Sequence, residues 1–206
     1  MTTLKTLRDR IIFETDREND ETITEDRIDE MIKRSIRFYG KRRFEFNEQS
    51  KTVTTTADNQ YLDAPVGLLQ DDLVQVTIGG HEYPLGKHSH ITIADWHGAS
   101  NTKGQPTDYC WQNGQFRIWP IPNQAYDIHV LGLYAEPDLN ADDDANAWTD
   151  QGQDLICHRV KYLLGRDVLF DDEMMRNAAI ATSEALSDLY FESAVLQRTG
   201  RVQAHI

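Results

Sequence analysis

The chain has 206 residues, with 21 Lys and Arg against 34 Asp and Glu, for a formal net charge of −13. Such an excess of acid excludes a conventional DNA-binding module, which needs clustered cations to neutralise phosphates. Two cysteines far apart in sequence exclude a disulfide framework, and with no apolar run long enough for a signal-peptide core or a membrane span the protein is expected to stay soluble in the cytoplasm where it is made.

Leu4, Leu7, Ile11 and Ile12 recur at helical spacing and predict an amphipathic helix from residue 3 to about 18, broken at Asn19-Asp20-Glu21. Thr22 and Glu25 have capping-box spacing. After them Ile28, Ile32, Ile36 and Tyr39 line one face of a second helix that stops near Gly40. Residues 1–43 hold 11 Lys and Arg against 10 Asp and Glu, whereas residues 44–206 hold 10 against 24. The dense basic run, Lys41-Arg42-Arg43, reads as a solvated helix end where cations complement the macrodipole.

From Phe44 to about Tyr134 the pattern becomes that of strands: Phe44 and Phe46, Thr52 to Thr56, Tyr61-Leu62, and Leu73 to Ile78 ending in the turn signal Gly79-Gly80. Ile91 to Trp96 reads as a short helix or irregular segment, and Gly98 to Gly104 as a polar loop. Tyr109 and Trp111 precede Asn113-Gly114, with Phe116, Ile118 and Ile121 after it, which predicts a tight hairpin because Asn-Gly tolerates positive φ. Pro120 and Pro122 cannot donate to a ladder and end the second strand. Tyr126, Ile128, Val130 and Gly132 then alternate with Asp127, His129 and Leu131, so a third strand is expected to complete an antiparallel meander that ends at Pro137.

Asp142-Asp143-Asp144 lacks the spacing and glycine of a calcium loop and reads as a solvated linker. Ile156, Val160, Leu163 and Leu164 predict a third helix ending around Phe170. Asp171-Asp172-Glu173 starts a fourth, with Met175, Ala178, Ala179, Thr182, Leu186, Leu189 and Tyr190 expected inward. Residues 197–206 show no periodicity and are expected to form an extended tail. Together these elements predict an α+β architecture: a four-helix bundle from two N-terminal and two C-terminal helices (residues 1–43 and 146–196), a β-rich antiparallel insertion (44–140) and a C-terminal tail (197–206).

Little in the sequence points to bond-making chemistry. His88-Ser89-His90 on a strand would project two rings to one face, where His97 or Asp95 could complete a zinc site, and His81 lies nearby. Two histidines in a polar region arise readily by chance, and 34 acidic residues supply many carboxylate pairs while selecting none. No nucleophile elbow, Walker loop, dinucleotide fingerprint or H-E-x-x-H helix is present. No catalytic, cofactor or metal residue is assigned. The competing enzymatic reading is a metal-dependent hydrolase using the His/Asp-rich insertion. Of Trp96, Trp111, Trp119 and Trp148, most are expected in the core, and an exposed one would suit a subunit contact.

The order of signals is distinctive: Gly104-Gln105-Pro106-Thr107-Asp108-Tyr109, an aromatic strand closed by Pro120-Ile121-Pro122, a Tyr-rich strand ending at Pro137, then Asn146-Ala147-Trp148 before a helix. In this order, and in the layout of nearly the whole chain, the sequence resembles the head-to-tail adaptor (connector, or head-completion) proteins of tailed bacteriophages. The resemblance implies a structural virion protein forming a ring, of roughly twelve copies, under the portal protein. Such a ring extends the channel for double-stranded DNA, which passes without specific binding, and offers tail or nozzle proteins a platform. It implies that the C-terminal segment reaches the portal, through Arg198, Arg201, Val202 and Ile206. Asp71, Asp72, Asp142, Asp143 and Asp144 are candidates to line the channel, where like charge repels the duplex. Another neck or tail component with the same layout is the remaining alternative.

Overall fold

A computed structural model describes residues 2–16 and 21–202, with backbone alone at residues 99 and 197–202. In chain order the elements are α1 (Leu4–Thr15), α2 (Glu25–Tyr39), a 3-10 turn (Glu45–Asn47), β1 (Glu48–Thr54), β2 (Tyr61–Asp63), β3 (Leu68–Ile78), β4 (His81–Pro84), β5 (Gly86–Lys87) and α3 (His90–Ala99). Then follow β6 (Lys103–Gly104), β7 (Asp108–Gln112), β8 (Gln115–Trp119), β9 (Ile121–Pro122) and β10 (Asp127–Tyr134). The chain ends with α4 (Ala147–Asp150), α5 (Gln153–Leu164), a π-helical turn (Gly165–Leu169) and α6 (Asp172–Val202). Its contacts divide it into two compact units: residues up to Asn47 with those from Ala135 onward, and Glu48–Tyr134 between them.

In the helical unit, local chemistry sets the ends of each helix. Thr3 caps α1, its hydroxyl accepting from the Thr6 N–H, and Asp16 ends it with φ 53°. The cap of α2 is Thr24, whose hydroxyl accepts from the Arg27 N–H, so the helix starts later than the Thr22 pattern suggested. Asn146 caps α4, accepting from Trp148 and Thr149 while Thr149 answers its N–H at 3.1 Å. The apolar stripe of α1 (Leu4, Leu7, Ile11) and that of α2 (Ile28, Met31, Ile32, Tyr39) join a core with Phe44, Leu139, Trp148, Leu155, Ile156, Val160, Leu163, Leu164 and Leu189.

The expected four-helix bundle is not what these helices build. α1, α2, α4 and α6 each pack on α5, and α6 also packs on the π turn and the 3-10 turn, so the helices are distributed around one centre; α3 belongs to the other unit. The physical reason lies in α5. Six of its twelve residues are buried, including the adjacent Leu155-Ile156-Cys157, so it offers apolar surface on more than the one stripe of a bundle helix. Where one helix running to about Phe170 was expected, α5 stops at Leu164, a π turn follows, and Phe170 at φ 51° separates it from α6. The helical backbone of α6 continues to Val202, into the segment read as an extended tail; residues 203–206 lie outside the described ones.

The second unit contains two four-stranded sheets, in orders β1-β10-β3-β4 and β2-β8-β7-β5, and a two-stranded β6-β9 pair. Both glycine-containing turns form as expected: Gly79-Gly80 joins β3 to β4 with φ of 58° and 83°, and Asn113-Gly114 joins β7 to β8 with φ of 52° and 78°. The three-strand meander does not form. After Pro120 and Pro122 end β8, β10 crosses to the other sheet and pairs with β1 and β3. There Ile128 and Val130, with Val74 and Val76 of β3, pack in one core with Leu62, Tyr109, Phe116 and Ile118 of the β2-β8-β7-β5 sheet. The ambiguous segment after Lys87 resolves as α3, capped by Ser89, whose hydroxyl accepts from the Thr92 N–H at 3.2 Å.

Candidate interaction surfaces

The residues that could carry chemistry are spread out and engaged in structure. His90 opens α3, so His88 and His90 do not share a strand face. His88 Nε2 lies 2.9 Å from Asp108 Oδ1, and His97 Nε2 donates to the Ile118 carbonyl at 3.1 Å. Burial, with the nearby Arg117 charge, lowers the His97 pKa. Among the described residues no group of three or more His, Cys, Asp or Glu converges as a metal ion would need. Burial pushes the Cys110 thiol up and the Cys157 thiol up to about 12, which keeps both protonated.

The five acidic candidates occupy different environments. Asp71 is buried: its carboxylate accepts from the Tyr109 hydroxyl at 2.6 Å and pairs with Lys87 at 2.8 Å. Burial and the Asp71 carboxylate together raise the Tyr109 pKa, so the phenol remains the donor. Asp72 and Asp143 are exposed. Asp142 receives a 2.6 Å bond from Arg8. Asp144 accepts the N–H groups of Ala141 and Asn140, and these bonds hold its carboxyl below the usual range. The backbone carbonyls of Asp142 and Asp144 also accept from Lys5 and Leu4 at the start of α1, which makes this loop a structural clamp as well as an acidic surface.

Of the portal-binding candidates, Arg198, Arg201 and Val202 lie on the helical backbone of α6; their side chains, and Ile206 entirely, lie outside the described residues. Just before them α6 exposes Phe191 (70%), Val195 and Leu196, with Ile180 three turns earlier. No tryptophan is an exposed anchor: Trp148 is in the core, and Trp96, Trp111 and Trp119 are half-buried. The exposed aromatics are phenylalanines and tyrosines, with Phe13, Phe170 and Phe191 the most exposed.

Around Phe38 the helical unit carries a feature that the sequence did not reveal. The Arg42 guanidinium lies over Phe38 and Tyr39, at 5.6 and 5.2 Å from the ring centres. Arg159 of α5 lies over Phe38 at 4.7 Å and over Tyr162 at 5.0 Å, and Arg166 over Tyr162 at 5.6 Å. Phe38 itself is 49% exposed. The visible signal was Phe38 four residues before Arg42; Arg159, on a distant helix, completes the stack.

Among the described residues no helix is long and apolar enough to cross a membrane. Comparison with curated proteins finds no match. The family model described as SU10 adaptor protein matches residues 2–204, nearly the whole chain and both of its units. The chain therefore belongs to the SU10 adaptor protein family, the phage structural adaptors that its order of elements resembles.

Proposed function

We propose that this adaptor forms a ring, of roughly twelve copies, beneath the portal at the head-tail interface of the virion. The ring extends the DNA channel and holds tail or nozzle proteins. Its work is structural, carried by shaped surfaces and by no bond made or broken. The observation that carries this reading is the apolar end of α6, where Phe191, Val195 and Leu196 are exposed one after another on the last turns before residue 197. Consecutive apolar side chains exposed on one helix end suit a surface that a partner covers. The portal is that partner here, with Arg198, Arg201, Val202 and Ile206 continuing the contact.

The net charge of −13 supports passage of a duplex without adhesion. Asp72, Asp142 and Asp143 are the exposed members of the acidic set; Asp71 is buried and Asp144 is partly so, and both add charge.

Negative-stain images of purified portal rings mixed with the protein test this reading. An added ring tier is expected, and its absence overturns the proposal. Removing residues 197–206 should leave a folded protein that portal rings no longer retain in a pull-down; undiminished retention would move the portal contact elsewhere.

A further inference from the structure

Among the arginines of this acidic chain, Arg42 and Arg159 are set apart by sharing one aromatic ring, that of Phe38, where a carboxylate is the alternative partner for a guanidinium. Arg8, Arg10, Arg34 and Arg166 each hold one. Among the described residues Arg42 and Arg159 hold none within ion-pair distance; both stack on Phe38 instead, with Arg37 and Lys41 exposed beside them. Stacking uses the face of a guanidinium and leaves its in-plane N–H fork for a bidentate acceptor. It also orders the side chain in advance, which lowers the entropy cost of binding. The two guanidiniums lie on one ring at 5.6 and 4.7 Å, hence at most about 10 Å apart.

A matching surface lies on the same unit. Glu184, Asp188 and Glu192 follow one another at four-residue spacing along α6, all exposed, lining a groove with Asp154 and His158 of α5. Residues four apart on a helix stand roughly 6 Å from each other. Among the described residues these three carboxylates pair with no Lys or Arg, although Asp154 pairs with Arg10 at 2.7 Å. His158 and Arg159 are consecutive, so their side chains leave α5 about 100° apart and the two surfaces are distinct.

We propose that the Arg42–Phe38–Arg159 platform of one copy receives the Glu184–Asp188–Glu192 stripe of the next, making a head-to-tail contact; this rests on the reading of the protein as a ring-forming adaptor. Two different, complementary surfaces on one protomer generate a repeating contact that closes into a ring when the rotation allows. A duplex is the poorer occupant. The net charge of −13 opposes the approach of a polyanionic duplex, whereas a second copy brings a basic platform of its own beside the matching stripe.

Sedimentation velocity of the full-length protein, over a concentration series at low and at high salt, tests the contact. The wild type is expected to form oligomers that salt disperses, since screening shortens the reach of exposed charge. R42A/R159A and E184Q/D188Q should each weaken association at least ~tenfold, and an equimolar mixture should restore dimers and nothing longer, because each variant keeps one intact half. R37A/K41A alters exposed side chains only. It should weaken association in the same direction with an unchanged circular dichroism spectrum, which guards against R42A/R159A failing to fold. The inference is overturned by a wild type that stays monomeric at both salt concentrations, by variants that associate as the wild type does, or by duplex DNA retained by the wild type and released by R42A/R159A. None of these measurements uses the portal. A portal tier built by a protein that is monomeric alone rejects this contact only; salt-sensitive oligomers that add no tier reject only the placement under the portal.

Discussion

Arg8 and Asp29 form a two-pronged pair: Nε and Nη2 of the guanidinium donate to the two carboxylate oxygens, each at 2.8 Å. Arg8 is buried, at 4% exposure, and the same group reaches Asp142 at 2.6 Å and Glu25 at 2.8 Å, joining α1 to α2 and to the loop before α4. Replacing Arg8 by Ala leaves the largely buried Asp29 without its partner. We expect R8A to lose about 3 kcal/mol in denaturant unfolding. D142A, which removes a half-exposed partner, should lose less than about 1 kcal/mol. Equal losses would contradict the central role of Asp29.

Trp148 packs edge-on against Phe44 and Phe46, with ring centres 5.4 and 4.9 Å away, and is 1% exposed. W148A should cost about 4 kcal/mol, the transfer of a large ring plus the cavity it leaves. W148F should recover more than half of that loss. Thermal melting of the two variants checks the order.

Gly132 lies at a register shift between β10 and β3, where an added Cβ would stand 2.1 Å from the Gln70 carbonyl oxygen. That neighbour is backbone and cannot swing aside. G132A is expected to cost about 3 kcal/mol, whereas G98A, on the exposed side of α3 where a Cβ meets nothing within 4 Å, should be neutral or mildly stabilising.

Burial lowers the His97 pKa, with Arg117 adding to the effect, while its Nε2 donates to Ile118. The unfolded chain therefore takes up the proton first as pH falls. Stability from neutral His97 is full above the ordinary histidine value and declines as pH drops below it toward the folded value. We expect H97N to melt below the wild type at about pH 7.5, and the gap to narrow by about pH 5.5. A gap that widens on acidification would reverse the assigned sign.

What the sequence made legible was local. The stripe Leu4-Leu7-Ile11, the run Ile28-Ile32-Ile36, and the Asn113-Gly114 and Gly79-Gly80 turns each carry their own signal in a few adjacent residues, and each formed. Some errors were of element ends, such as the cap of α2, the stop of α5 and the continuation of α6 to Val202; the larger ones were of pairing at a distance. β10 has a clear alternating pattern, but alternation does not say whether Val130 lies opposite Lys51 and Val74 or beside the preceding hairpin. The helix periods likewise did not distinguish a bundle from an arrangement around α5, because a period reports a buried stripe and not its neighbour. The stacked arginines stayed hidden for the same reason: Arg42 looks like a helix-end cation until Arg159 is beside it.

One topological feature bears on how such proteins diversify. The strands that begin and end the β-rich unit, β1 and β10, are hydrogen-bonded neighbours, with Glu48 opposite Leu133. The polypeptide leaves and returns to the helical unit through adjacent openings, roughly one inter-strand spacing of 5 Å apart. The whole of Glu48–Tyr134 is thus a cassette whose two chain ends are neighbours, exchangeable for another of different outline without rethreading what remains. Natural selection can restyle one unit for a new partner while the other keeps its existing fit.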